Sequence, residues 1–188
     1  MNATAPTASA TLLDSLLEKH DLRTMHGRGV DATVEEVAAA IRTTSIDDAR
    51  LARSLMGVRT LGRSLRHRAG PIAEHGDGEA GFLQVASSPT EIVVGFAGRP
   101  WPGGAALPPF ATPAEWRSFV PTDSVKVALS IRCGVANYGT LLVTETRILC
   151  GDAARRPFGR YWMLIRPGSD LVRGSLLRAI ARTAEHGE

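Results

Sequence analysis

Between Val125 and Cys150 the apolar residues settle into a period of two, and this constrains the fold more than any other feature. In SVKVALSIRCGVAN, Val125, Val127, Leu129, Ile131 and Cys133 fall on one side of an extended chain. Lys126, Ala128, Ser130 and Arg132 fall on the other, which is the signature of a half-buried strand. Asn137-Tyr138-Gly139 supplies a turn. GTLLVTETRILC, Gly139 to Cys150, is the next strand. Two more precede the pair: GFLQVASS and EIVVGFAGRPW, separated by Ser-Pro-Thr, carry a hairpin signal.

The period is helical on either side of these strands. After a small, polar stretch at 1–9, read as a disordered tail, Leu12, Leu13, Leu16 and Leu17 predict a short amphipathic helix. LRTMHGRGVDAT reads as a strand ending near Ala32. Thr33-x-x-Glu36 fits a capping box opening a helix with Val34, Val37, Ala38 and Ile41 on one face. Ser45-x-x-Asp48 opens another, with Ile46, Ala49, Ala52, Leu55 and Met56 inward. The Pro-rich stretch 102–123 cannot be a regular central strand. It has room for a helical turn at 112–119, with Pro113 at a first helical position.

After an Arg-rich turn, the chain ends in YWMLIRPGSDLVRGSLLRAIARTAE. Phe158, Tyr161, Trp162 and Ile165 form an apolar helix face at i, i+3, i+4 and i+7. Pro167 disfavours the α region at Arg166, so a kinked helix is expected, with Ser169 capping its second piece. Val172, Leu176, Ala179 and Ile180 continue the buried stripe. Runs of helices, then strands, then a terminal helix predict an α+β fold with an antiparallel sheet. At 188 residues, one domain spanning 10–186 is expected.

Composition narrows the class. The chain is 44% hydrophobic and 22% charged, as ordinary globular proteins are. Net charge is +3, and Lys19 and Lys126 are the two lysines, the rest of the basic side chains being arginine. No apolar run reaches the roughly 18 residues needed to span a membrane, and no secretory signal is legible, so a cytoplasmic location is expected. Cys133 and Cys150 are read as small buried residues in a reducing compartment. Arg50, Arg53, Arg59, Arg63, Arg66 and Arg68 form a basic stretch without acidic residues, either a solvated face or a patch for an anionic partner. Nucleic acid is disfavoured because interleaved aromatics are lacking.

Gly27-Arg28-Gly29-Val30-Asp31-Ala32 fits G-x-G-x-x-A, but the strand-rich second half supplies no alternating βαβ units for a dinucleotide. No Cys/His cluster has ligand spacing, so no metal is expected.

The first strand running into GVDATVEEVAAAI, with Val30, Ala32 and Val37, resembles the opening of the START-like, or SRPBCC, superfamily. The pattern TETRI…D…RR.F..YW…PGSDL…LRAI resembles a bacterial branch of it. The resemblance implies a helix-grip fold: a curved antiparallel sheet wrapped around a long, kinked C-terminal helix, with two short helices after the first strand. It also implies an apolar cavity between sheet and helix for a hydrophobic or polyketide-like small molecule, and no cofactor. Members include non-catalytic carriers and cofactor-free cyclases, aromatases and dehydratases. No catalytic motif carries over.

The residues leave carrier and enzyme open. Candidate proton-transfer groups are His26, Glu145 and Tyr161. Glu145 and Arg147 share a strand face, and with Arg132 they equally fit a cross-strand ion pair on a solvated face. If Thr144 and Thr146 face inward, their hydroxyls become the ligand contacts. Phe158, Trp162 and Ile165 are either core or cavity wall. Trp101, Phe110 and Trp116 are either a lid or a cluster pinning a loop. An interaction module using the Arg50–Arg68 face is the alternative from another class. Monomer and homodimer are equally compatible with the sequence.

Overall fold

Five antiparallel strands carry the architecture, in the order β1-β5-β4-β3-β2. The structure is a computed structural model and describes residues 10–44, 82–102 and 110–187. The elements are α1 (Leu12–Leu16), β1 (Leu22–Val30), α2 (Val34–Thr43), β2 (Leu83–Ser87), β3 (Glu91–Gly98), α3 (Pro113–Ser118), β4 (Val125–Val135), β5 (Thr140–Cys150), a 3-10 turn (Asp152–Ala154) and α4 (Arg155–His186). This is the expected α+β arrangement, a curved antiparallel sheet with a long C-terminal helix in the helix-grip manner. The helix expected from Ser45 and the basic stretch 50–68 lie outside the described residues.

Local chemistry accounts for the ends of the elements. Thr33 and Glu36 form the capping box of α2, each side chain taking the other's backbone N–H. Thr11 and Asp14 do the same for α1, a box the sequence reading missed. Thr112 caps α3, whose first residue is Pro113. Gly139 closes the β4–β5 turn at φ +74°, and a Cβ there would lie 2.4 Å from the Val30 carbonyl oxygen. Both conditions demand glycine.

The sheet has two covered faces. On the inner face, β4 presents Val125, Val127, Leu129, Ile131 and Cys133, as the alternation predicts. The register puts Thr24, His26 and Arg28 of β1, and Leu142, Thr144, Thr146 and Ile148 of β5, on that same side. Here α2 and the C-terminal half of α4 bury Val37, Ile41, Ile131, Leu142, Leu176 and Ile180 in one cluster. The start of α4 buries Phe158 against Val125, Ile148 and Cys150 in another. The two cysteines are free and buried, and burial pushes the Cys150 thiol up to about 11.

The outer face corrects an expectation. Lys126, Ala128 and Ser130 were read as the polar side of a half-buried strand, and Glu145 as a proton-transfer group or part of a solvated ion pair; the pair with Arg132 and Arg147 forms, but all four residues are buried. Helices α1 and α3 cover them, with Leu13, Leu17, Val85, Val93, Trp116 and Ala128 in a third cluster. The cover comes from segments distant in sequence, which a local period cannot reveal.

Helix α4 differs as well. It runs unbroken through Pro167, and Ser169 lies inside it rather than capping a second piece. A proline removes one hydrogen bond and frees the carbonyl four residues earlier. Pro167 and Met163 are both exposed, so water can satisfy that carbonyl.

Candidate functional site

The middle of α4 is less deeply buried than its ends, although Asp170 reaches His26 on the sheet and Tyr161 and Trp162 pack beside Ile148. No residue from 159 to 172 is buried, although Phe158 before them and Arg173 after them are. The inner-face residues nearby, Leu22, Thr24, His26, Phe96, Val127 and Leu129, are half-buried too. Two buried ends therefore flank a half-buried middle.

A polar cluster sits in that middle. Strand pairing sets Thr24 opposite Thr146 and His26 opposite Thr144. From α4, Arg173 donates through Nη2 to Thr146 Oγ1 at 3.0 Å. Asp170, one helical turn earlier, has Oδ1 3.4 Å from His26 Nε2 and 3.6 Å from Arg173 Nη1. The second distance is beyond a good hydrogen bond. Arg173 is 8% exposed, and its desolvation lowers the guanidinium pKa, with Asp170 opposing. Four buried atoms of this cluster have no hydrogen-bond partner among the described residues: Thr24 Oγ1, His26 Nδ1, Thr144 Oγ1 and Arg173 Nη1. Native interiors pair nearly all such atoms, so four in one cluster calls for an explanation.

At the Phe158 end the lining is aromatic. Trp101 meets Phe158 edge-on at 6.2 Å, and Trp162 stacks on Phe158 at 5.9 Å. Tyr161 lies 6.2 Å from the same ring. Ile165, half-buried, is the next residue of this stripe toward Asp170.

The other sequence candidates lie elsewhere. Glu145, Arg147 and Arg132 project from the outer face, and the structure does not bring Glu145 together with His26. Glu145 is 1% exposed and accepts from Arg23 at 2.7 Å, Arg147 at 2.9 Å and Arg132 at 3.1 Å. Burial alone would raise its pKa, but the hydrogen bonds and charges of Arg23 and Arg147 outweigh that, and the carboxyl is held low. Arg147 also bonds Asp14 at 2.5 Å and the Leu17 carbonyl at 3.2 Å, tying α1 to the sheet. Trp116 is fully buried against Gly95, with Lys126 Nζ 4.5 Å from its ring, and Phe110 packs on Phe119. Both aromatics belong to the outer layer, not to a lid over the inner face.

Arg173 and Asp170 were missed as site residues. Arg173 stands three before Leu176 and seven before Ile180, a charge at a stripe position, and that spacing was the available signal.

A hollow of about 440 Å³ does exist, but at the β1–α2 junction, lined by Asp31, Thr33, Glu36, Val135 and Gly139. Glu36 is committed there to the α2 capping box, and the Asp31 N–H to Glu185. The unpartnered cluster under α4 is the better candidate on chemistry.

Among the described residues, no helix is long and apolar enough to cross a membrane, and no group of three or more His, Cys, Asp or Glu is placed for a metal ion.

No family model matches the chain, and no curated protein matches it. Among solved structures, a hypothetical protein of Helicobacter pylori, jhp0584, is similar at 7% identity, with a TM-score of 0.44 over 97% of this chain and 99% of that one. Protein MLL2253 of Mesorhizobium loti is similar at 15% identity and a TM-score of 0.37, over 86% of this chain and 98% of that one. The di-domain ARO/CYC StfQ from the steffimycin biosynthetic pathway is similar at 11% identity and a TM-score of 0.39. This chain matches it over 88% of its own length and 51% of StfQ.

Proposed function

We propose that the chain is a START-like ligand-binding protein that holds an amphipathic small molecule between the inner sheet face and the middle of α4. The carrying observation is the set of four buried, unpartnered polar atoms on Thr24, His26, Thr144 and Arg173. Leaving a buried donor or acceptor unsatisfied costs about 1–3 kcal/mol, so a ligand that pairs them gains binding energy. Apolar walls with a few convergent polar groups are the usual make-up of a small-molecule site. The order of elements, with α4 buried at both ends and half-buried between them, supports the same reading.

Native mass spectrometry of the chain purified from its own source tests it. The expected result is a co-purifying species of low mass that is absent from an Ile165→Trp variant, whose larger ring would crowd the stripe between Trp162 and Asp170. A bare-chain mass for the wild type counts against the reading.

One observation favours a catalytic version, of cyclase, aromatase or dehydratase type. His26 Nε2 lies 3.4 Å from the Asp170 carboxylate, which can orient the ring, while Nδ1 has no partner among the described residues. That is the arrangement a general base requires. In this version Tyr161 adds a hydroxyl at the aromatic end, and Glu145 takes no part. A His26→Gln variant then retains the co-purifying species and no longer converts it.

A further inference from the structure

We infer that the ligand carries an anionic head, of carboxylate type, on an apolar body, and that Arg173 receives the head; this rests on the ligand-binding reading above. The argument compares donors with acceptors. Arg173 is buried, keeps one N–H set on Thr146 and leaves Nη1 without a hydrogen-bond partner among the described residues. Thr24 and Thr144 add two hydroxyls that can donate. The acceptor on hand, Asp170, stands 3.6 Å from Nη1 and also faces His26. It does not bond Arg173 in the way that Glu145 and Asp14 bond Arg147.

A buried cation with an open N–H and hydroxyls around it matches an oxyanion, because charge-assisted hydrogen bonds are the strong ones. Arg28, on the same sheet face one row beyond His26, adds positive charge, and among the described residues Asp170 is the carboxylate that faces Arg173 and His26. From Arg173 the helix leads back through Ile165 to Trp162, Tyr161 and Phe158. An apolar body extending from the head would meet those side chains together with Leu22, Val127 and Ile148.

The test uses decanoate and decan-1-ol, which share a chain and differ in head charge, titrated into the full chain by calorimetry. Decanoate is expected to bind roughly tenfold or more tightly than decanol, and Arg173→Met to erase the difference. Equal binding of the two by the wild type, or a preference that survives Arg173→Met, overturns the anionic head while leaving the proposed site occupied. Binding of neither overturns the ligand-binding reading itself, and this inference with it. If Arg173→Met does not fold, the wild-type ratio decides, together with Thr144→Val, which is expected to weaken decanoate more than decanol.

Discussion

The two faces of one sheet carry opposite kinds of buried polarity. On the outer face, Glu145 is shared by Arg23, Arg132 and Arg147, and Asp14 reinforces Arg147. Glu91, also buried, accepts from Ser130 Oγ at 2.6 Å and from the Leu12 N–H at 2.9 Å, which pins the start of α1. On the inner face, Arg173 meets one hydroxyl, and four neighbouring polar atoms stay unpaired. Two outer-face atoms, Arg132 Nη1 and Trp116 Nε1, are also unpaired, but the first belongs to a guanidinium already bonded to Glu145 and the second is wedged against Gly95. Outer-face polarity is spent on holding α1 in place. On the inner face Thr140 and Thr146 also serve the fold, bonding the Ala32 carbonyl and Arg173, but the four atoms on Thr24, His26, Thr144 and Arg173 join no such network among the described residues.

The largest expected effect breaks the outer network. Glu145→Gln removes the one carboxylate shared by three arginines and leaves Arg147 with Asp14 and the Leu17 carbonyl. Breaking a buried charge pair from one side costs about 3 kcal/mol or more. For a chain of this size that is a fall in Tm of roughly 6–12 °C. A melt within 2 °C of wild type would show that the outer network does not hold the fold.

What could be read in advance divides along the same line. The β4 alternation, the Ser88-Pro89-Thr90 hairpin, the Thr33–Glu36 box and the Pro113 turn are each fixed by neighbours in sequence, and each was legible. The inner placement of Thr144 and Thr146 was left open because a strand has two faces and its own sequence does not say which is inward. The buried state of Glu145 depended on α1, more than a hundred residues away in the chain, and Leu13 and Leu17 gave no hint of where they would dock. His26 was singled out because a histidine on the first strand could move protons if it faced a cavity. Arg173 was overlooked because arginines are abundant here and one more looked like surface.

A smaller effect comes from acid. The Asp14 carboxyl is held at about 2, against an ordinary 3.8, first by the Thr11 backbone N–H and then by Arg147. A carboxyl held low in the folded state adds stability that is complete above pH 4 and is lost as pH falls toward 2. Its side chain is 43% exposed, so solvent screening leaves about 1 kcal/mol. Asp14→Asn is expected to lose that amount at pH 7 and to unfold along a shallower acid limb between pH 4 and 2. The limb does not vanish, because Glu145 is held low as well. Superimposable pH–stability curves for variant and wild type would remove Asp14 from the outer network.

The smallest effect has the opposite sign. Thr144 is fully buried, and its hydroxyl has no partner among the described residues. Valine has nearly the same shape and suits a strand at least as well. Thr144→Val therefore removes an unpaired polar atom without opening a cavity, and stability is expected to stay level or rise by about 0.5–1 kcal/mol. On the outer face the loss of one polar group is costly; here it is free or favourable, while decanoate affinity drops. Chemical denaturation of the unliganded chain measures the first quantity and calorimetry the second. A loss of more than about 1 kcal/mol in the unliganded chain would mean that the Thr144 hydroxyl serves the fold, as Glu145 does, and the contrast between the faces would fail at its most buried position.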